Sequence, residues 1–350
     1  IEKTKFIVRI ILTMLLVFSL FNLKYIYIFN DIKFSVKSGM KLDHTHFISS
    51  FYYIPGPAQR HSLNDYSQRI NRMLRTVPTK SHLFFYTNEE SFKAAQIQIP
   101  ENNKERIHFI FKYKSIYDVC NIGRYNKTYE EVTKNGLIRK DIKHFVYTKD
   151  ALTIWNTKIC FIEECARTYK SKYTFWIDAA LPCKSSYEGA IIPDEKRIDL
   201  IFKDHQKQLL FQNRAKMPIN NQEISPIVNE PMIRKFDFVL AGFFGGPSNL
   251  FSKFKATYFK IHDQILEQNT TTYCFREELI LMAYLIYYPE DSMYFYTNTY
   301  KSKICGIWDA GLNFIGHENR CHHKNVIGHF DKYIKNNKTY TIAVDKIFKG

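Results

Sequence analysis

The stretch Tyr173-Thr-Phe-Trp-Ile-Asp178-Ala179 is the most informative about the fold, because a run of aromatic and β-branched residues leads straight into a carboxylate. Such a run is typical of a strand that is buried on both faces of a parallel sheet. Nucleotide ligands bind at the carboxyl ends of these strands. There, Asp178 could hold a divalent cation that bridges a diphosphate, or bond a ribose hydroxyl. Capping of the following turn is the structural alternative.

Strands and helices alternate on both sides of this stretch. Apolar runs of strand length lie at 82–86, 107–111, 236–241 and 293–296. Apolar residues at helical spacing predict helices over 62–77, 151–167, 248–265 and 276–288. The alternation predicts an α/β fold, a Rossmann-type and mostly parallel sheet flanked by helices.

Composition and charge exclude several classes of protein. The chain has 350 residues, of which 45% are hydrophobic and 24% charged, with only 11 Pro and 13 Gly, so disordered and collagen-like proteins are excluded. The formal charge of +16 would suit a polyanionic partner only if it were concentrated. Lys and Arg are instead interspersed with Asp and Glu, which predicts a solvated surface and no nucleic acid partner.

The N-terminal residues predict a membrane anchor. The run from Phe6 to Leu23 contains one charge, Arg9, and basic residues precede it. This pattern predicts a cytoplasmic tail at 1–5, a transmembrane signal anchor at 6–28, a stem at 29–46 and a lumenal domain at 47–350. A cleaved signal peptide is the alternative, although no small-residue cleavage motif follows the run.

The glycosylation sequons and the cysteines are consistent with a domain that lies in the lumen. Acceptor sequons for N-glycosylation begin at Asn126, Asn269 and Asn337. The seven cysteines form no CxxC pair, so neither a zinc ribbon nor a redox motif is predicted. We expect two or three disulfides and at least one free thiol in an oxidising lumen, with the pairing open.

Further candidate site residues lie around the central strand. Lys158 belongs to the preceding helix, and Gly245 and Gly246 close a predicted turn at 242–246. These glycines would let the backbone approach a ligand closely, or would simply make a tight strand-to-helix turn. Glu277 and Glu278, at a predicted helix start, would supply a catalytic base, or would only complement the helix dipole.

The order of these segments resembles the HtrL/YibB family. The segments are FFYTN at 84–88, WNTK at 155–158, YTFWIDA at 173–179, AGFFGG at 241–246 and REE at 276–278. The resemblance implies a glycosyltransferase-A-like fold and a transferase that moves a sugar from a nucleotide-sugar donor to a glycan or protein acceptor. It implies that Asp178 stands at the place of the family's strand-end acid, with Trp176 and Lys158 near the substrate. The anchor would make it a single-pass type II glycoprotein of the Golgi or ER membrane.

One departure leaves the metal requirement open. Glycosyltransferase-A enzymes commonly carry Asp-x-Asp, whereas this chain has Asp178-Ala-Ala180. One carboxylate holds Mn²⁺ or Mg²⁺ poorly, and the resemblance implies that a C-terminal histidine, His329 or His317, would complete a metal site with Asp178. The missing second acid also favours an alternative function: a catalytically inactive lumenal protein of the same fold that binds a glycan or a partner.

Overall fold

The structure is a computed structural model, and it describes residues 43–55, 61–77, 80–134, 148–179, 181, 191–213, 239–267, 277–296, 310–316, 329–332 and 340–343. The predicted anchor at 6–28 and the sequons at Asn269 and Asn337 lie outside these residues. Within the described ranges, no helix combines the length and the apolar character that crossing a bilayer requires.

The described residues form nine strands in one mixed sheet. The strands are β1 Asp43–Phe51, β2 His82–Thr87, β3 Ile107–Ile110, β4 Ser171–Ile177, β5 Leu209–Asn213, β6 Val239–Pro247, β7 Ser292–Tyr296, β8 His329–Lys332 and β9 Tyr340–Ala343. Their order is β3-β2-β1-β4-β6-β5-β7-β8-β9. Strand β6 runs antiparallel to β4 and β5, and β8 runs antiparallel to β7 and β9. The other strands share one direction, so the prediction of a mostly parallel sheet is confirmed.

Eight helices accompany the sheet in the described residues. They are α1 Leu63–Thr76, α2 Glu89–Ala94, α3 Asn126–Lys134, α4 Lys149–Thr168, α5 Glu195–Phe202, α6 Phe251–Glu267, α7 Glu277–Tyr287 and α8 Ala310–Ile315. The predicted capping box before α1 is present, because Ser62 and Asp65 bond each other's backbone amides. Helix α4 begins where the side chain of Thr148 accepts a hydrogen bond from the Ala151 amide.

The helices cover both faces of the sheet. Helices α1, α2, α5 and α8 pack on the face that carries Phe175 and Ile177 of β4. Helices α4, α6 and α7 pack on the opposite face, which carries Trp176. Successive residues of a strand point to opposite faces, so a strand covered on both faces buries nearly every side chain, and from Tyr173 to Ile177 every residue of β4 is buried. This explains why these five residues show no alternation of charged and apolar side chains.

The strand order creates a switch point between β1 and β4. The chain places β2 and β3 on one side of β1, and then crosses to place β4 on the other side. Both neighbours run parallel to β1, and Ile48 lies beside Trp176 in the register. In sheets of this kind, ligands bind outside the carboxyl ends of the strands where the winding reverses. Asp178 directly follows β4 at this place.

Two predicted boundaries are wrong. Strand β1 begins at Asp43, so the predicted stem at 29–46 overlaps the first strand of the sheet. No turn forms at 242–246, because β6 continues to Pro247 with β4 on one side and β5 on the other. Glycine inside a strand often marks close approach of another backbone and not a turn.

A disulfide bond links two segments that pack on the face of the sheet that carries Trp176. Cys120, in a 3₁₀ segment at Ile116–Tyr125, bonds Cys160 of α4. Cys165 is a buried free thiol, as expected of at least one cysteine. The other four cysteines lie outside the described residues, so this is one of the two or three disulfides that the sequence predicts.

Candidate active site

Asp178 is held at the carboxyl end of β4 by backbone and side-chain contacts. Its amide donates to the carbonyl of Gly242 at 2.9 Å, and its carbonyl accepts from the amide of Leu181 at 2.9 Å. The indole Nε1–H of Trp176 donates to Asp178 Oδ1 at 2.8 Å. The backbone therefore helps to close the turn, and the carboxylate side chain is 35% exposed.

Lys158 reaches this carboxylate from α4. Its ammonium lies 2.9 Å from Asp178 Oδ1 and 2.8 Å from Glu277 Oε1, and it donates to the carbonyl of Ala241 at 3.2 Å. Burial by itself lowers the pKa of Lys158, but the two carboxylates outweigh it and the net pKa is raised. An ammonium has three protons, and all three have partners here.

Glu277, the first residue of α7, is the buried carboxyl of the group. Oε1 accepts from Lys158, whereas Oε2 is buried without a hydrogen-bond partner among the described residues. Burial and then the charge of Glu278 raise the pKa of Glu277 to about 8, against the lowering effect of Lys158. A carboxyl that titrates near neutral pH is what acid or base catalysis requires.

Trp176 and Lys158 support Asp178 and do not face solvent. The Trp176 side chain is buried, and the Lys158 ammonium lies 5.8 Å from the centroid of its ring. This cation–π contact, together with the indole hydrogen bond, orients the carboxylate of Asp178. The substrate contact predicted for these two side chains stays a prediction, and in the structure their polar atoms are bonded to Asp178, Glu277 and the Ala241 carbonyl.

Gly245 and Gly246 lie away from the site. They pair with Phe175 and Thr174 inside the sheet, and Gly245 lies three residue steps along the strand from Gly242, or about 10 Å. A Cβ on Gly245 would meet the ring of Phe175 and come within 2.5 Å of the Thr174 carbonyl oxygen. The predicted ligand-floor role is therefore corrected: these glycines permit close packing of β6 against its neighbours.

The second proposed metal ligand is also distant. His329 begins β8, and three strands, β6, β5 and β7, separate β8 from β4. At about 4.8 Å per strand the two backbones are roughly 19 Å apart, so the structure does not bring His329 to Asp178. In the described part of the chain, no group of three or more His, Cys, Asp or Glu side chains could hold a metal ion.

A divalent cation does not fit beside Asp178 as the residues stand. The point where the oxygens of Asp178, Glu277 and Ala241 converge already holds the ammonium of Lys158. A second cation at this point would meet strong repulsion in the poorly screened interior. The positive charge of Lys158 thus already neutralises the oxygens that would bind a metal ion.

Glu278, the predicted base, lies beside Glu277. Its side chain is half-buried, and its charge acts on Glu277, so the two carboxyl groups are neighbours.

Asn126, a predicted glycosylation site, begins α3 and is half-buried. Its Oδ1 is buried and lacks a hydrogen-bond partner among the described residues. Glycosylation at Asn126 stays a prediction.

Sequence reasoning missed one polar pair behind the site. Tyr258 of α6 donates to Asn156 Oδ1 of α4 at 2.6 Å, and both side chains are buried. After burial, the charges of Glu277 and Glu278 raise the pKa of Tyr258, which places its hydroxyl near these carboxyl groups. The sequence does show four polar residues close together in one predicted helix, Thr153, Asn156, Thr157 and Lys158, and the structure shows that all four are buried.

Comparison with known proteins leaves the site to be interpreted from its own side chains. No protein family and no curated protein matches this sequence. Among solved structures, the chain is similar to mouse xyloside xylosyltransferase 1 in its apo form, with 10% sequence identity and a TM-score of 0.38 over 72% of this chain and 84% of that chain. At this identity and TM-score, function has to be inferred from the geometry above.

Proposed function

We propose that this protein is a glycosyltransferase-like enzyme that transfers a sugar from a nucleotide-sugar donor to a glycan or protein acceptor. The observation that carries the proposal is the placement of Asp178, a partly exposed carboxylate at the carboxyl end of β4 beside the switch point. The resemblance to the HtrL/YibB family belongs to the same proposal.

The carboxyl groups take different roles in this proposal. Asp178 accepts a hydrogen bond from a ribose or acceptor hydroxyl, in an orientation set by Trp176 and Lys158. Glu278, half-buried, serves as the base that takes the acceptor proton. Glu277 is buried and bound to Lys158, so it positions the lysine and adjusts the charge of the site.

The proposed reaction breaks the bond between the sugar C1 and the diphosphate oxygen and forms a bond between C1 and the acceptor oxygen. The acceptor proton passes to the carboxylate of Glu278, and the nucleoside diphosphate leaves with the bonding electron pair. Asp178 and its support contribute by orientation, because a hydroxyl held near the reacting carbon avoids much of the entropy cost of a bimolecular step.

We also propose that the protein works in the lumen of the Golgi or ER as a type II membrane protein. The apolar run from Phe6 to Leu23 supports an anchor at 6–28. The disulfide between Cys120 and Cys160 supports an oxidising compartment. Glycan attachment to Asn269 or Asn337 in cells would report the lumenal orientation.

A panel of sugar nucleotides tests the enzymatic proposal. The purified full chain is incubated with each donor, and donor hydrolysis and transfer are measured for the native chain and for Asp178→Asn. We expect the variant to lose about 100-fold or more in turnover while it still folds. Its midpoint of unfolding should fall, because Asp178 is a counter-charge of the buried Lys158. Asp199→Asn, a partly exposed carboxylate of α5 bound to His44 and Lys172, is the matched control.

Two results would contradict the proposal: no donor bound or hydrolysed by the native chain, or equal turnover in Asp178→Asn and native protein. Binding of a glycan without turnover would favour the second candidate, a catalytically inactive lumenal binding protein. That candidate is supported by Ala180, which stands where Asp-x-Asp enzymes have their second acid.

A further inference from the structure

Three oxygen atoms converge on the ammonium of Lys158. They belong to the carboxylates of Asp178 and Glu277, at 2.9 Å and 2.8 Å, and to the backbone carbonyl of Ala241, at 3.2 Å. Carboxylate and carbonyl oxygens are the ligands that hard divalent cations prefer in proteins. The ammonium of Lys158 is thus surrounded by the oxygen ligands that a metal cation site would have.

An oxygen atom without a partner at this point supports the same interpretation. The Glu277 side chain is only 5% exposed, and its Oε2 is buried without a hydrogen-bond partner among the described residues. The three protons of Lys158 are already used, so the ammonium cannot bond this oxygen. A divalent ion bound by both oxygens of Glu277 would take the place of the proton that the folded chain keeps on this carboxyl below about pH 8.

Size and charge explain why the native chain excludes such an ion. The oxygens lie at ammonium distances, and inward shifts of about 0.2 to 0.6 Å would bring them to about 2.6 Å, the upper end of the range typical of Ca²⁺. The ammonium and a divalent ion cannot share the point, because like charges repel strongly where screening is weak. Removal of the ammonium would leave two carboxyl groups without a counter-charge.

We propose that Lys158 is the built-in cation of an oxygen-lined cation site. The native chain has no need of a divalent ion at Asp178, and removal of the amine converts the same oxygens into a site for a divalent cation completed by water. This inference concerns the ionic state of the site and goes beyond the proposed sugar transfer, which it does not require.

Binding of Mn²⁺, followed by the loss of its free paramagnetic resonance signal, tests the proposal on the full chain without sugar nucleotide. We expect the native chain and Asp178→Asn to bind Mn²⁺ equally. Lys158→Met should gain one site, with a midpoint of thermal unfolding that rises with Mn²⁺ concentration. Adding Asp178→Asn to Lys158→Met should weaken that site at least about tenfold, since loss of even an outer-shell partner of a metal ligand costs this much.

Several results would overturn the proposal. A Mn²⁺ site in the native chain that Asp178→Asn abolishes would show that Lys158 does not exclude the ion. A folded Lys158→Met chain that gains no Mn²⁺ site would show that the oxygens do not form a cation site. A Lys158→Met chain that stays unfolded at every Mn²⁺ concentration would do the same, because a bound ion should restore the lost counter-charge. None of these readouts depends on transferase activity, so the two proposals fail separately.

Discussion

Replacement of Glu277 by glutamine should change how the stability of the protein depends on pH. Burial, followed by the charge of Glu278, raises the pKa of Glu277 from 4.5 to about 8. The two pKa values differ by about 3.5, and each pH unit is worth about 1.4 kcal/mol, so the linked free energy is on the order of 5 kcal/mol.

The sign follows from which state holds the proton. Below about pH 4.5, Glu277 is protonated in the folded and unfolded chains alike. Between about pH 4.5 and 8 the folded chain keeps a proton that the unfolded chain releases, so this group makes the native protein less stable as pH rises. Above about pH 8 the loss is complete. Glutamine cannot titrate, so the variant escapes the loss.

Urea unfolding at a series of pH values from about 5 to 9 measures this effect. The stability of Glu277→Gln relative to the native chain should increase across the series by several kcal/mol, up to the order of 5. Glu101→Gln, which removes an exposed carboxylate from a 3₁₀ turn, is the control and should show a nearly flat difference. A flat difference for Glu277→Gln, or one that falls as pH rises, would refute the assigned pKa direction.

Two further predictions concern packing and the disulfide. Gly245→Ala should destabilise the fold by about 1 to 3 kcal/mol, since overpacking of a full core costs this much. The new Cβ would lie 2.5 Å from a carbonyl oxygen of β4. Unchanged urea unfolding would contradict the close packing of β6. Cys120→Ser with Cys160→Ser should cost about 4 kcal/mol, because the bond closes a loop with a sequence separation of 40. The same stability in the double variant and the native chain would show that the bond does not form.

Local signals predicted much of the fold and part of the site. The strand at 173–177 and the acid that follows it were recognisable because a strand buried on both faces is rich in aromatic and β-branched residues and carries no charge there. Lys158 and Glu277 were both nominated from sequence, but as separate substrate and base residues. Their mutual ion pair was not foreseen, since it joins helices α4 and α7, which are 119 residues apart in the chain at these positions.

The glycine pair shows where local signals mislead. Gly245 and Gly246 suit a turn as well as a crowded strand, because the absence of a side chain serves both. Only the neighbours distinguish the two, and these are Phe175 of β4 and Leu209 of β5. The sequence contains both partners, but it does not state that they meet.

The alternation of strands and helices and the position of Asp178 after a buried strand could be predicted from the amino-acid sequence, because hydrophobic periodicity is a property of neighbouring residues. The place of β6 was visible only in the folded chain: it lies antiparallel between β4 and β5, which brings the Ala241 carbonyl to Lys158. The folded chain also shows that α7 starts with Glu277 beside that lysine. The physical reason is that strand order and ion pairing depend on contacts between distant segments, whose energies are set by the packed core as a whole.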